Sequence, residues 1–145
     1  MQTLGRLYAQ QGRYGESEPL FAQAVDILSH AAGEEQLETL AAKIELADLR
    51  ILERRYGQAE GMLSQILPVM GKSFPDRWTR YNCQSLLGAA LAGQKKFADV
   101  EPLLVSGYEG MQQRTATINF GNLRYLRRAA EEIAHLHETA GGSGR

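Results

Sequence analysis

Cysteine is nearly missing from this chain. Cys83 stands alone in 145 residues, so no internal disulfide can form and nothing points to an oxidising compartment. No charge of one sign dominates, with 16 Lys plus Arg against 17 Asp plus Glu. That balance excludes the broad basic excess that nucleic acid or an anionic membrane surface requires, so no nucleic-acid and no membrane partner is expected. No apolar run is long enough to span a bilayer, and Met1 opens no signal-peptide pattern. Alternating Val/Ile/Thr stretches bounded by turn pairs are also missing, which argues against strands. What remains, 43% hydrophobic and 23% charged residues, predicts a soluble, cytoplasmic single domain with its own core.

Catalytic chemistry is equally thin. Met70-Gly71-Lys72-Ser73 ends like a phosphate loop, but Ile66 stands where the earlier glycine belongs and no strand precedes it. His135 and His137 lie two apart on a helical stretch, about 200° around the axis, and cannot share a metal. His30 is isolated, and Cys83 has no base beside it in the pattern, so burial is its expected role. The pairs Arg54-Arg55, Lys95-Lys96 and Arg127-Arg128 read as solvated surface. No nucleophile with a base and no acid/base pair can be assembled. The expectation is a non-enzyme with no cofactor and no metal.

A repeat is present instead. Gly12-Arg-Tyr14-Gly-Glu-Ser17-Glu18-Pro-Leu-Phe21 aligns with Arg54-Arg-Tyr56-Gly-Gln-Ala59-Glu60-Gly-Met-Leu63 and with Lys95-Lys-Phe97-Ala-Asp-Val100-Glu101-Pro-Leu-Leu104. The aromatic positions 14, 56 and 97 are 42 and 41 residues apart. A large-then-small pair precedes each: Leu4-Gly5, Leu46-Ala47 and Leu87-Gly88. Each unit predicts two helices. The first carries apolar residues at helical spacing (Leu4, Leu7 and Tyr8 in one copy), and the second opens at the aromatic. Glu16 and Glu18 suit the positive end of that second helix, and Pro19 and Pro102 its early turns. Gly33 and Gly71 are expected as left-handed caps, and Asp76 as the N-cap of the third unit.

One hairpin cannot cover its own apolar face, so the units must stack. Gly5, Ala47 and Gly88 let paired helices approach, with Phe21, Leu63 and Leu104 filling the space beside them. The resulting expectation is an all-α solenoid of three hairpins (about 1–33, 34–73 and 74–112) within a single domain, 1–140. A loop over 114–120 leads to a terminal helix over about 121–139, with Leu123, Leu126, Ala130, Ile133 and Leu136 inward and Arg124, Arg127, Arg128, Glu131 and Glu132 largely outward. Residues 141–145 are expected as a flexible tail.

The pattern Leu-Gly-x-x-Tyr-x-x-x-Gly-x-Tyr-x-x-Ser-x-x-x-Phe-x-x-Ala, from Leu4 to Ala24, resembles the tetratricopeptide repeat. A period near 42 instead of about 34 resembles its long form, found in kinesin light chains and many bacterial proteins. Trp78, the run Ser85 to Phe97 and the run Glu101 to Met111 are similar to repeats that follow the kinase domain in some bacterial serine/threonine protein kinases. The kinase motifs themselves are not in this sequence. Departures from the pattern are Arg50 for Tyr or Leu, Arg54 for the turn Gly, and Val100 and Gly107 for Ala.

The resemblance implies a protein-interaction scaffold whose first helices line a concave, partner-binding face. By repeat position that face is Gln2, Arg6 and Gln10, then Ile44, Glu45, Asp48 and Ile51, then Ser85, Ala89 and Ala92. It implies a protein or peptide partner. Two other roles fit the same sequence: a non-catalytic regulatory tail of a signalling kinase, or a module that self-associates through its uncapped N-terminal hairpin. Ser85, Ala89 and Ala92 fit a second use as well, as small residues that admit the terminal helix.

Overall fold

A computed structural model describes the backbone of residues 2–143 and the side chains of residues 4–138. Seven α-helices are found among them: α1 (Gln2–Gln10), α2 (Tyr14–Ala32), α3 (Leu37–Leu52), α4 (Tyr56–Ser73), α5 (Trp78–Gly93), α6 (Val100–Gln113) and α7 (Leu123–Ser143). No strand occurs among the described residues. The first six form three hairpins, and successive helices pack in chain order, with α7 lying against α5 and α6. This is the all-α solenoid with a closing helix that the repeat predicts.

The small residues act as expected. A Cβ on Gly88 would come within 2.9 Å of Leu104, and Ala47 is fully buried in the main core with Leu63. Phe21 packs with Leu46 and Leu49, and so joins the first unit to the second. The main core gathers Ile44, Ile51, Leu63, Ile66, Met70, Cys83, Leu86 and Tyr125 from four helices.

The hairpin turns share one device. Gly12, Arg54 and Lys95 occupy equivalent repeat positions, and all three have left-handed backbone, with φ of 76°, 65° and 61°. Only the first is a glycine, so the second and third turns hold an L-residue where its Cβ costs about 1–2 kcal/mol. The geometry is kept because the following residue returns to the first helix: the Arg55 N–H donates to the Arg50 carbonyl at 2.7 Å and the Lys96 N–H to the Leu91 carbonyl at 2.9 Å.

Several ends differ from the sequence expectation. Gly33 does close α2 at positive φ, 103°, with ψ of 155° outside the left-handed helical well. Gly71 does not cap α4. Buried Met70 keeps that turn packed, and its carbonyl accepts from the Phe74 N–H at 2.8 Å, so the helix runs on to Ser73. Asp76 is not a cap either; Arg77 takes the N-cap position without a side-chain bond. The Asp76 carbonyl instead accepts from Arg114 Nε at 2.9 Å, which ties the turn to the end of α6. The 114–120 segment contains two short 3-10 turns, Thr115–Thr117 and Phe120–Asn122. Helix α7 continues through Ser143, past the expected end near 139, and residues 144–145 of the expected tail lie outside the described residues.

Helix α7 is also rotated relative to its expected stripe. Tyr125 and Ala129 are its buried residues, Leu123 and Leu126 pack at the core margin, and Ala130 is exposed. Arg128, expected outward, faces inward and pairs with Asp48 on α3. A carboxylate waiting 80 residues upstream turns the helix, and periodicity within one helix cannot register such a partner.

Candidate functional site

An open cleft of about 270 Å³ lies between α1, α3 and α7. Ala9, Leu49 and Leu52 form its apolar floor, and Phe21 reaches it from α2. Its walls carry Arg6 and Gln10 from α1, Glu45 and Asp48 from α3, and Arg124, Tyr125, Arg127, Arg128 and Glu131 from α7. A floor of this kind supplies burial, and a few fixed polar arms around it supply orientation.

The charges are organised in pairs. Arg6 Nε donates to Glu45 Oε2 at 3.2 Å, and Arg6 Nη2 pairs with the other oxygen, making a fork-on-carboxylate contact between α1 and α3. Hydrogen bonding to Glu45 raises the Arg6 guanidinium above its ordinary value, against the opposing effect of its partial burial. Arg128 Nη1 donates to Asp48 Oδ1, joining α7 to α3. Burial works against the Arg128 charge, and Asp48, by attraction and by that hydrogen bond, outweighs it and raises the pKa. Between the pairs, burial pushes the Tyr125 phenol well above its usual range, and the nearby Asp48 charge adds to the shift. Arg124 stacks on the Tyr125 ring, 4.5 Å from its centre, and donates to its hydroxyl at 3.1 Å. Arg127 Nε lies 3.8 Å from Glu131, both well exposed at the rim.

The structure divides the ten sequence-derived residues. Arg6, Gln10, Glu45 and Asp48 come together in the cleft. The Gln2 side chain lies outside the described residues. Ile44 and Ile51 are buried in the core and present no surface. Helical rotation explains this, since Ile44 and Ile51 each lie one residue, about 100° around the axis, from the cleft-lining positions Glu45 and Leu52. Ser85 is buried against α6, where a Cβ on Gly107 would come within 2.9 Å of it. Ala89 is buried in the same core as Tyr125 and Ala129, and Ala92 lines a second pocket with Glu132, His135 and Leu136 of α7. The small stripe on α5 therefore serves packing, and α7 covers part of it.

Sequence reasoning missed the contribution of α7, five residues of the cleft lining. A signal was present: Arg124, Tyr125, Arg127 and Arg128 crowd one and a half turns of an otherwise mixed helix.

Elsewhere, Cys83 is buried, and burial pushes its thiol up to about 12. Among the described residues no group of three or more His, Cys, Asp or Glu could hold a metal ion. No described helix is long and apolar enough to cross a membrane.

Comparison with known proteins now bears on this geometry. Residues 1–72 match the tetratricopeptide repeat family model. The crystal structure of BtubC (BKLC) from P. vanneervenii superposes with a TM-score of 0.70 at 17% identity, covering 97% of this chain and 55% of that one. A kinesin-light-chain-type protein of Podosopora anserina with nearly identical TPR-like repeats gives 0.70 at 22% identity, covering 99% and 75%. A point variant of that protein gives 0.69 at 22% identity, covering 99% and 74%. This chain thus spans little more than half the length of BtubC. No curated protein sequence matches it. At these identities the superpositions speak to the fold, and the repeat pattern, the hairpin stack and the family match agree: the chain is a tetratricopeptide-repeat protein.

Proposed function

We propose that this chain is a protein-interaction module, working in the cytoplasm, that takes a segment of a partner protein into the cleft between α1, α3 and α7. The observation that carries this reading is the cleft itself. An apolar floor of Ala9 and Leu52, the latter 38% exposed, is left open at the centre of a polar rim, on the side that first helices line in this repeat class. The floor supplies apolar area to a partner side chain, and Arg124, Arg127 and Gln10 at the rim supply orientation. Helix α7 is part of the binding wall as well as the cover of the last unit.

Photo-crosslinking tests it. A photoreactive residue at Leu52, in the cleft, should yield a discrete adduct in the source extract, and one at Gln65, on α4, should not. Ala9→Glu with Arg124→Ala should abolish the adduct while the helical circular dichroism is kept. The same adducts from both positions, or none from Leu52, would remove the cleft from the proposal.

The kinase-tail reading rests on sequence resemblance alone, and a kinase domain encoded in frame upstream is the observation that supports it. The self-association reading draws on Leu4 and Leu7, exposed on α1.

A further inference from the structure

The third unit departs from the second at one place that the repeat should make alike. At the spacing of 41 residues that relates Tyr56 to Phe97, Leu40, Ile66 and Val69 correspond to Tyr81, Gly107 and Gly110. Thr39 and Ser73 likewise correspond to Arg80 and Arg114. In the second unit this place is core, with Leu40 and Ile66 buried together and Val69 packed against them. In the third unit an aromatic ring and two guanidiniums stand there instead. The two glycines seat Tyr81: a Cβ on Gly110 would overlap its ring, and one on Gly107 would come within 2.7 Å of its carbonyl oxygen.

Arg80 and Arg114 close on that ring, their guanidinium carbons 5.2 and 4.4 Å from its centre. Both are anchored to the turn that enters α5. Arg80 Nη1 donates to the Pro75 carbonyl at 3.0 Å and lies 3.5 Å from the Tyr81 hydroxyl. Arg114 Nε donates to the Asp76 carbonyl at 2.9 Å, and its Nη1 to the Gly110 carbonyl at 3.0 Å. Arg80 Nε, buried, has no acceptor among the described residues. Carbonyls hold the two cations in place without cancelling their charge. Among the described residues the one carboxylate paired with either is Asp76, 3.8 Å from Arg114 Nη2 and 95% exposed. A pair that open contributes little. Glu109, exposed beside Tyr81, pairs with neither arginine. Lys72 in the last turn of α4 and Arg77 at the N-cap of α5 add cations, and Asp76 is the only acidic residue from 61 to 98. Arg77 gives α5 no side-chain cap, so the N–H groups of its first turn are open to an outside acceptor.

We infer that this cluster, Arg80, Arg114 and Tyr81 at the N-terminal end of α5, binds a phosphate monoester carried on a side chain of a partner protein. A phosphate monoester offers about two charges and three acceptor oxygens, enough to reach both guanidiniums and the helix N–H groups together. A carboxylate offers one charge and two oxygens. The guanidinium fork matches phosphate oxygens in geometry, and two anchored forks give up little freedom on binding. The carrier follows from the neighbouring surface. Pro102, Val105 and Ser106 line an open pocket that begins at Tyr81, where the residue next to the phosphorylated one can lie and which a free phosphate would leave empty. That the carrier is a protein rests on the interaction reading above; that the cluster holds phosphate does not. The site shares no residue with the cleft.

Nuclear magnetic resonance titration of the full chain, read at the arginine Nε–H and backbone amide signals, tests both parts. The probes are inorganic phosphate and the end-capped tripeptide Ala-phosphoserine-Ala, each against sodium chloride at equal ionic strength. Both should shift Arg80 and Arg114 saturably, with the tripeptide binding more tightly and also shifting Val105 and Ser106. Aspartate in place of phosphoserine should weaken the tripeptide by about tenfold or more, and so should Arg80→Gln or Arg114→Gln. Either variant that keeps the helical circular dichroism decides the point. Arg13→Gln, on the first hairpin, should change nothing. Shifts that chloride reproduces, binding that survives Arg80→Gln or Arg114→Gln, or equal binding of the aspartate tripeptide overturns the phosphate site. Inorganic phosphate binding as tightly as the tripeptide, with Val105 and Ser106 unmoved, overturns the protein carrier and leaves free phosphate as the ligand. None of these substitutions touches the cleft, so the crosslinking result at Leu52 stands or falls separately.

Discussion

Helices α1 and α5 hold the same place in the repeat and have opposite environments. Helix α5 packs against four others, α3, α4, α6 and α7, and buries nine of its 16 residues, Asn82 and Thr79 among them. Helix α1 packs on α2, and of its described side-chain positions only Gly5 is buried. Its leucines match the repeat as well as those of α3 and remain in solvent. In a stack, then, a residue's burial belongs to the unit beside it as much as to its own helix. The repeat shows where a leucine could be buried, and only the neighbour decides whether it is.

The largest test of this contrast acts through α7. Arg128→Ala should leave Asp48 with its carboxylate enclosed and unpaired, costing about 3 kcal/mol in denaturant unfolding. The double replacement Asp48→Leu with Arg128→Leu should recover most of that loss. Arg6→Ala, in the more open pair on α1, should cost about 1 kcal/mol or less.

Next come the glycines. Gly107→Ala would place a methyl within 2.7 Å of the Tyr81 carbonyl oxygen and 2.9 Å of the Ser85 backbone nitrogen, forcing α5 and α6 apart at a cost of about 2 kcal/mol. Gly5→Ala would meet Leu20 and Phe21 at an ordinary 3.4 Å and should stabilise by about 0.5 kcal/mol through helix propensity. Opposite signs at two small positions of one fold, read by thermal melts, would sharpen the comparison; equal signs would break it.

Alkaline pH probes the α5 side alone. The folded state holds the Cys83 thiol protonated up to about 12, whereas an unfolded thiol ionises near 9. Above pH 9 the unfolded chain therefore loses a proton that the native chain keeps, and stability falls as pH rises. The slope approaches about 1.4 kcal/mol per pH unit before the native thiol itself ionises. Cys83→Ala should delay the onset until tyrosine ionises in the unfolded chain, since buried Tyr125 follows the same sign at higher pH.

The smallest effect concerns the turns. Arg54→Gly and Lys95→Gly should each stabilise by about 0.5 kcal/mol, the relief of left-handed strain offset in part by greater freedom in the unfolded chain. Gly12→Ala should destabilise, because the first turn already holds the residue its φ of 76° favours.

The hairpins were legible because their cause is local. Leu46-Ala47 and Leu87-Gly88 declare which helix faces meet, and Tyr14, Tyr56 and Phe97 mark where the chain turns back. Four of the cleft's thirteen lining residues were legible for the same reason, since Arg6, Gln10, Glu45 and Asp48 follow from repeat position. The α7 wall was not. Tyr125 and Arg128 acquire their place from residues dozens of positions away, Trp78, whose ring lies 6.3 Å from that of Tyr125, and Asp48, and a helix wheel drawn for α7 turns Arg128 to solvent. Ile44 and Ile51 failed in the other direction: one residue of helical rotation, 100°, separates groove from core.

The bond between Arg128 and Asp48 has a consequence for how the chain comes apart. A repeat stack unfolds like a row of dominoes, each unit coupled only to its neighbours, and frays from either end. Here α7 reaches back past α5 to α3, so the second unit, the third and the closing helix form a ring of mutual support. Fraying from the C-terminal end must break that ring before any single unit is free. The chain should therefore unravel from α1 inward and lose the rest in one cooperative step.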